Sequence, residues 1–225
     1  MDPWVQESKL DGASGETPHH ASPDPLDKAA LRRELRARRK QVKPAQRQAA
    51  GDKLVGLALR GHLLAKGRRI GLYIPANGEI DVLPLLKRAR AMRAYCFLPI
   101  VPGQDRKRMW FSLVGERPAW VLNRYGIPEY RHPLAPHLRA RALDVLFMPV
   151  LGFDAFGCRL GMGGGYYDAS LAYLKRVHRW RRPWVVGVAY AMQELPRLPS
   201  DPWDVPLDAV LTELGYRVFR ASKAK

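Results

Sequence analysis

Four glycines crowd into the five positions 161–165, a short step beyond an apolar stretch, LDVLFMPVL, at residues 143–151. No other feature limits the fold so tightly. A continuous apolar run of this kind reads as a strand covered on both faces. Glycine lacks a Cβ, so it supplies positive φ and lets another group approach the backbone closely. The block RLGMGGGYYD at residues 159–168 is therefore a tight turn between a buried strand and a helix, with an arginine at one end and a carboxylate at the other. Successive amide N–H groups in such a turn form a concave nest for anions, and a following helix N-terminus adds partial positive charge. Arg159 can fork two hydrogen bonds to a phosphate, and Asp168 can hold a metal ion bound to that phosphate. Two better-known glycine signatures fail. A Walker A loop needs a lysine that residues 159–168 lack, and a dinucleotide fingerprint needs a third glycine where Tyr166 stands. A glycine-rich hairpin whose tyrosines merely pack is the plainer reading, and spacing alone leaves it open.

The surrounding pattern gives the turn a context. Residues 28–42 (KAALRRELRARRKQV) read as a basic helix with Leu31 and Leu35 on one face, and Pro44 opens a second helix to about residue 66. Short apolar runs then alternate with helices. Strands are predicted over residues 70–74, 95–100, 109–114, 143–151, 185–190 and 207–212. Helices are predicted over residues 82–92, with Asp81 as cap, and 168–178. This alternation predicts a single-domain α/β layered fold, its largely parallel central sheet flanked by helices. Ligands in such sheets sit beyond the carboxyl ends of strands. The glycine turn and the segment PANGE at residues 75–79 should therefore share one edge, with Glu79 near the phosphate cradle.

Composition bounds the rest. At 225 residues the chain is one domain, assigned to residues 27–220, with a disordered acidic extension over 1–26 and a basic tail over 221–225. No apolar run approaches the ~20 residues that cross a bilayer. The start has neither the basic nor the apolar stretch of a signal peptide. Cys96 and Cys158 are too few and too far apart for a disulfide framework, so free thiols and a cytoplasmic setting are expected. Residues 1–27 hold one lysine and six acids, a net of −5, which leaves +22 on the remainder of a chain totalling +17. Such a surplus invites nucleic acid, nucleotides or a polyglutamylated small molecule, or marks a solvated basic surface.

In order along the chain, KAALRREL, YIPANGEID, CFLPIV followed by MWF, YGIPE, DVLFMPVLGFDAFGCRLGMGGGYYD and PSDPWDVPLDAVLTE resemble the 5-formyltetrahydrofolate cyclo-ligases, also called methenyltetrahydrofolate synthetases. The resemblance runs from about Lys28 to Glu213, and its central block is highly specific. It implies closure of 5-formyltetrahydrofolate to 5,10-methenyltetrahydrofolate while ATP becomes ADP and phosphate. A formamide oxygen is a poor leaving group on a poor electrophile; phosphorylating it cures both defects, and folate N10 then attacks. Little covalent chemistry is left to the protein beyond positioning and charge neutralisation.

The resemblance further implies that Lys28 and Arg32, four apart on one helix face, reach ATP phosphates. Arg159, Leu160, Gly161, Met162, Gly163, Gly164, Gly165, Tyr166 and Tyr167 would wrap the triphosphate, with Arg159 and Tyr167 catalytic. Asp168 and Asp204 would hold Mg²⁺, with Asp208 as a substitute. Glu79 would accept N–H bonds from the pterin, and Trp110, Tyr166 and Tyr167 are candidates to stack on the flat pterin or adenine. A monomer is expected, acting on MgATP and a folate. Many members carry a basic residue within the glycine turn and after the Tyr-Asp pair, where this chain has Met162, Gly164 and Ala169. Read without the resemblance, the basic helix could be a solvated face, Glu79 a surface residue and each aromatic plain core. Two rival functions stand beside it: a nucleic-acid-binding module carried by the basic helix, which lacks a recognition signature, and a phosphosugar or acyl-transfer enzyme on a similar fold.

Overall fold

The computed structural model describes residues 27–103, 107–116, 119–176 and 183–219. The expected acidic extension, the basic tail and the end of the helix predicted to residue 178 lie outside these ranges.

Two helices lead the fold. Helix α1 (Lys28–Lys40) starts where the Asp27 carboxylate accepts from the Ala29 N–H at 2.8 Å, and α2 (Pro44–Arg60) starts at its proline. Proline suits the first helical position, because the N–H it lacks would have no partner there. Strand β1 (Arg69–Gly71), helix α3 (Leu83–Ala91), β2 (Tyr95–Ile100) and β3 (Trp110–Leu113) follow, then a hairpin of β4 (Trp120–Leu122) and β5 (Pro128–Tyr130). Next come β6 (Val145–Pro149), the short antiparallel pair β7 (Gly152–Phe153) and β8 (Arg159–Leu160), and α4 (Tyr166–Leu171), continued by a 3-10 turn. Strands β9 (Trp184–Val188), β10 (Ala209–Thr212) and β11 (Gly215–Val218) complete the chain. The Asp81 carboxylate accepts from the Leu83 N–H at 2.8 Å, although the helix starts one residue later than expected and Val82 holds the cap position.

The main sheet has seven strands in the order β11-β10-β9-β6-β1-β2-β3, parallel throughout its centre, with β3 and β11 antiparallel at the edges. From β1 the chain adds β2 on one side and β6, β9 and β10 on the other. The order therefore reverses between β1 and β6, the place where open α/β sheets form a ligand crevice. Strand β6 explains its own unbroken apolar run. Val145 and Phe147 pack into the core under α2 and α3, while Leu146 and Met148 pack into the opposite core with Leu171 of α4.

A third, smaller cluster decides where α1 sits. Leu35 is fully buried with Leu151, Leu160 and Leu198, which docks the basic helix on the β7–β8 pair. A Cβ at Gly152 would stand 2.9 Å from Leu35 Cδ1, so a side chain there would force the Leu35 methyl to shift. Three elements escaped the sequence pattern: the β4–β5 hairpin, the β7–β8 pair and β11. Their strands run two to four residues each, too short for a period of two to register. The helix expected over residues 168–178 is instead a six-residue α4 followed by the 3-10 turn Ala172–Lys175.

Candidate active site

A cavity of ≈ 730 Å³ opens at the β1/β6 reversal. Its floor is the strand ends, with Tyr73 and Ile74 beyond β1, Pro99 and Val101 at the end of β2, and Met148 and Pro149 of β6. Lys28, Arg32, Glu79, Asp168, Asp204 and every residue of 159–167 also line it. The strand-end argument thus places the PANGE segment and the glycine turn on one edge.

The turn is built by left-handed backbone at two glycines, Gly163 (φ 102) and Gly165 (φ 68), the second immediately preceding α4. Alanine at either position would be strained. Three arginines of α1 stitch the turn down. Arg32 Nε donates to the Gly161 carbonyl at 3.0 Å, Arg36 Nη2 to the Met162 carbonyl at 2.9 Å, and Arg39 Nη2 to the Met162 Sδ at 3.6 Å. The contact between the Arg39 guanidinium and the thioether shows why a neutral Met162 fits here. A cation in its place would face Arg39.

Charges in the cavity come in opposed pairs. Arg159 Nη2 donates to Asp168 Oδ1, which also accepts from the Val205 N–H at 3.3 Å. Arg159 is 7% exposed, and its Nη1 is buried without a hydrogen-bond partner. Lys28 Nζ donates to Asp201 Oδ2 at 2.6 Å and to Asp204 Oδ2 at 2.9 Å. Burial would lower the Lys28 ammonium, but the two carboxylates outweigh it and hold it above the ordinary value. Burial would likewise raise Asp204, yet the Asp201 N–H, Lys28 and Arg159 hold it below the ordinary carboxylate range. Three carboxylates and two cations of this kind can exchange partners when a polyphosphate and a divalent ion arrive together.

Glu79 sits apart from this group. It is 9% exposed; Oε2 accepts from the Ala76 N–H at 3.0 Å, and Oε1 stands 4.0 Å from Arg39 Nη1. Burial pushes its carboxyl up to about 6 against the pull of the Ala76 N–H and Arg39. Tyr167 links the two halves of the cavity. Its phenol is driven well above its ordinary value by burial and by Glu79, with Arg159 opposing, so it stays protonated and keeps an O–H to donate.

Two sequence-based expectations need correction. Trp110 does not line the cavity. It stands on β3 with the Arg139 guanidinium 3.4 Å above its ring, because the strand's alternation turns Trp110 outward and Phe111 inward. Asp208 cannot stand in for Asp204, since its Oδ2 accepts from the Val185 N–H at 2.9 Å at the opposite end of the sheet. Sequence reasoning also passed over Arg36, Arg39 and Asp201, although 28, 32, 36 and 39 follow one helical face. It likewise assigned no role to the β4–β5 hairpin. There Tyr125 Oη lies 2.7 Å from Tyr166 Oη, and Arg124 donates to the same phenol, which lays the hairpin over the glycine turn. Cys96 is buried core, as expected, and both thiols are free.

The sequence model of the 5-formyltetrahydrofolate cyclo-ligase family matches residues 25–213. The chain is 30% identical to the 5-formyltetrahydrofolate cyclo-ligase of Escherichia coli over 178 residues, covering 79% of this chain and 96% of that protein. With the Mus musculus enzyme of the same name it shares 28% identity over 195 residues, covering 83% and 93%. Among solved structures, the fold superposes on Aquifex aeolicus 5,10-methenyltetrahydrofolate synthetase with a TM-score of 0.71 at 29% identity, covering 88% of this chain and 95% of that one.

Proposed function

Because the chain belongs to the 5-formyltetrahydrofolate cyclo-ligase family, we propose that it closes 5-formyltetrahydrofolate to 5,10-methenyltetrahydrofolate with conversion of ATP to ADP and phosphate. The observation that carries this reading is one cavity holding a buried carboxylate suited to a pterin, an unpaired arginine N–H and a glycine turn pinned against a basic helix.

The formyl oxygen attacks the γ-phosphorus, and the bond from that phosphorus to the bridging oxygen of ADP breaks. The resulting phosphorylated imidate carries a carbon that N10 can reach. N10 attacks, the carbon–oxygen bond breaks, phosphate leaves, and the N10 proton passes to solvent. Arg159 and the amides of residues 161–165 neutralise the charge that gathers on the transferring group, a term that grows in a water-poor site. Tyr167, held protonated, donates to the same oxygens. Lys28 and Arg32 hold the outer phosphates from α1. Asp168 and Asp204 offer the hard oxygen donors that Mg²⁺ prefers, one or two carboxylates being its usual protein share. When bound, that ion supplies further neutralisation of phosphate charge. Glu79 accepts from the pterin's aminopyrimidine N–H groups, and Tyr166 stacks. A cytoplasmic, monomeric enzyme acting on mono- or polyglutamylated folate belongs to the same proposal. Basic residues of α1 are turned onto the glycine turn and the cavity acids, which favours this reading over nucleic-acid binding.

The deciding experiment adds full-length protein to MgATP and 5-formyltetrahydrofolate and follows the methenyl chromophore together with ADP. One ADP per methenyl product is expected; folded protein that yields neither sinks the proposal.

A pH prediction follows from Glu79. Its folded value of about 6 exceeds the ordinary 4.5. Between these values the folded state holds the extra proton, so stability declines as pH rises through the window. Folate recognition needs the ionised form and moves the other way: kcat/KM for the folate should climb to a plateau above about pH 6. Glu79→Gln should flatten that limb and lower the plateau by roughly 10- to 100-fold, as for loss of a charged hydrogen-bond acceptor. An unaltered pH profile in Glu79→Gln would show that another group binds the pterin.

A further inference from the structure

Arg39 is 1% exposed and has no task in the chemistry above. Its guanidinium is anchored at two points and aimed at a third. Nε donates to the Asn77 carbonyl at 3.2 Å, Nη2 to Met162 Sδ at 3.6 Å, and Nη1 stands 4.0 Å from Glu79 Oε1. The segment it grips is unusual. Asn77 (φ 50) and Gly78 (φ 79) are consecutive left-handed residues immediately before Glu79, a conformation uncommon outside glycine. A Cβ at Gly78 would lie 3.4 Å from the Arg39 carbonyl oxygen, so the turn runs alongside α1 within a side chain's reach.

We propose that Arg39 is a positioning residue for folate recognition: it clamps the 75–79 turn to helix α1 and to Met162 of the glycine turn, and so sets the Glu79 carboxylate where the pterin's N–H groups meet it. This rests on the folate reading above. Each arm of the guanidinium has its own partner, which a planar fork can serve and a lysine ammonium cannot. The groups facing Glu79 are Arg39 from α1, Tyr73 from the end of β1 and Tyr167 from α4, with the Ala76 N–H in its own turn. Those facing Arg39 are Glu79, Tyr73, Tyr190 and Arg36. Arg39 is thus the cation that opposes the burial of Glu79, and the tyrosines are neutral at physiological pH. The same clamp joins the folate-side turn, at Asn77, to the phosphate-side turn, at Met162, through one side chain of α1.

The test separates Arg39 from the functional reading by measuring Glu79 without substrate. The carboxyl carbon of Glu79 is titrated by NMR in ¹³C-glutamate-labelled protein, assigned by its loss in Glu79→Gln. Arg39→Met should raise the Glu79 pKa by about 1–3 units, the usual effect of an opposite charge at this distance. In turnover, kcat/KM for the folate at neutral pH should then fall by about 10-fold or more, with KM for MgATP little changed. Arg39→Lys should restore most of the Glu79 pKa but not the folate KM, because charge returns without the fork. A folded Arg39→Met with Glu79 unshifted overturns the proposal. If that variant does not fold, Arg39→Lys decides, and wild-type folate KM overturns it. Wild-type protein without turnover removes the folate reading, while the titration still judges whether Arg39 governs Glu79.

Discussion

Replacing Arg159 by methionine is expected to lower kcat by about 10³-fold or more, the scale of a single arginine that neutralises a transferring phosphoryl group. One arm of the guanidinium is committed to Asp168, while Nη1 is buried with no partner. Leaving a buried donor unpaired costs about 1–3 kcal/mol. That penalty is relieved when an anionic oxygen enters, and most fully as charge develops there. The fold should tolerate the change, since methionine fills the volume of the arginine stem, and Asp168 retains the Val205 N–H and solvent access at 31% side-chain exposure. The variant should therefore melt at or near the wild-type temperature without nucleotide, yet gain less from added MgATP. Saturating-substrate kinetics and thermal melts with and without MgATP check both halves. Activity within tenfold of wild type would remove Arg159 from the catalytic set.

The second large effect is expected at Asp168. Asp168→Asn keeps the Oδ1 acceptor that meets Arg159 and the Val205 N–H but discards the negative charge. A hydrogen-bonding role alone would survive this substitution; a metal-holding role would not. Turnover should fall by about 10²- to 10³-fold, as for loss of one preorganised stabilising group, and the free Mg²⁺ required for half-maximal rate should rise. Asp204→Asn should act in the same direction and also release Lys28 from one of its two carboxylates. The measurement is kcat as a function of free Mg²⁺ at saturating nucleotide. An unchanged Mg²⁺ dependence in both variants would return these aspartates to a purely ionic role beside Arg159 and Lys28.

Much of the site was legible before any coordinates. The glycine turn declares itself because positive φ is a local demand that glycine meets without strain, and Gly163 and Gly165 meet it here. Glu79 could be placed near that turn because both follow parallel strands, and such strands deliver their carboxyl ends to one edge. Trp110 shows where this reasoning stops. Strand β3 was read almost to the residue, but which of its two faces met the core was not, and a one-residue change of face separates a cavity aromatic from a surface one.

The periodicities of 28–40 and 145–149, the strand–helix alternation and the turn chemistry of 161–165 are properties of neighbouring residues, so the sequence alone determined the α/β class and the glycine turn. The tertiary structure alone decided which charges meet. Lys28 finds Asp201 and Asp204 across 173 and 176 positions, and Arg39 finds Asn77 and Met162 across 38 and 123. A basic helix with four cations on one face reads identically whether that face meets water or a glycine turn. What turns it inward is Leu35 seating against Leu151, Leu160 and Leu198, a packing arrangement that no local pattern encodes.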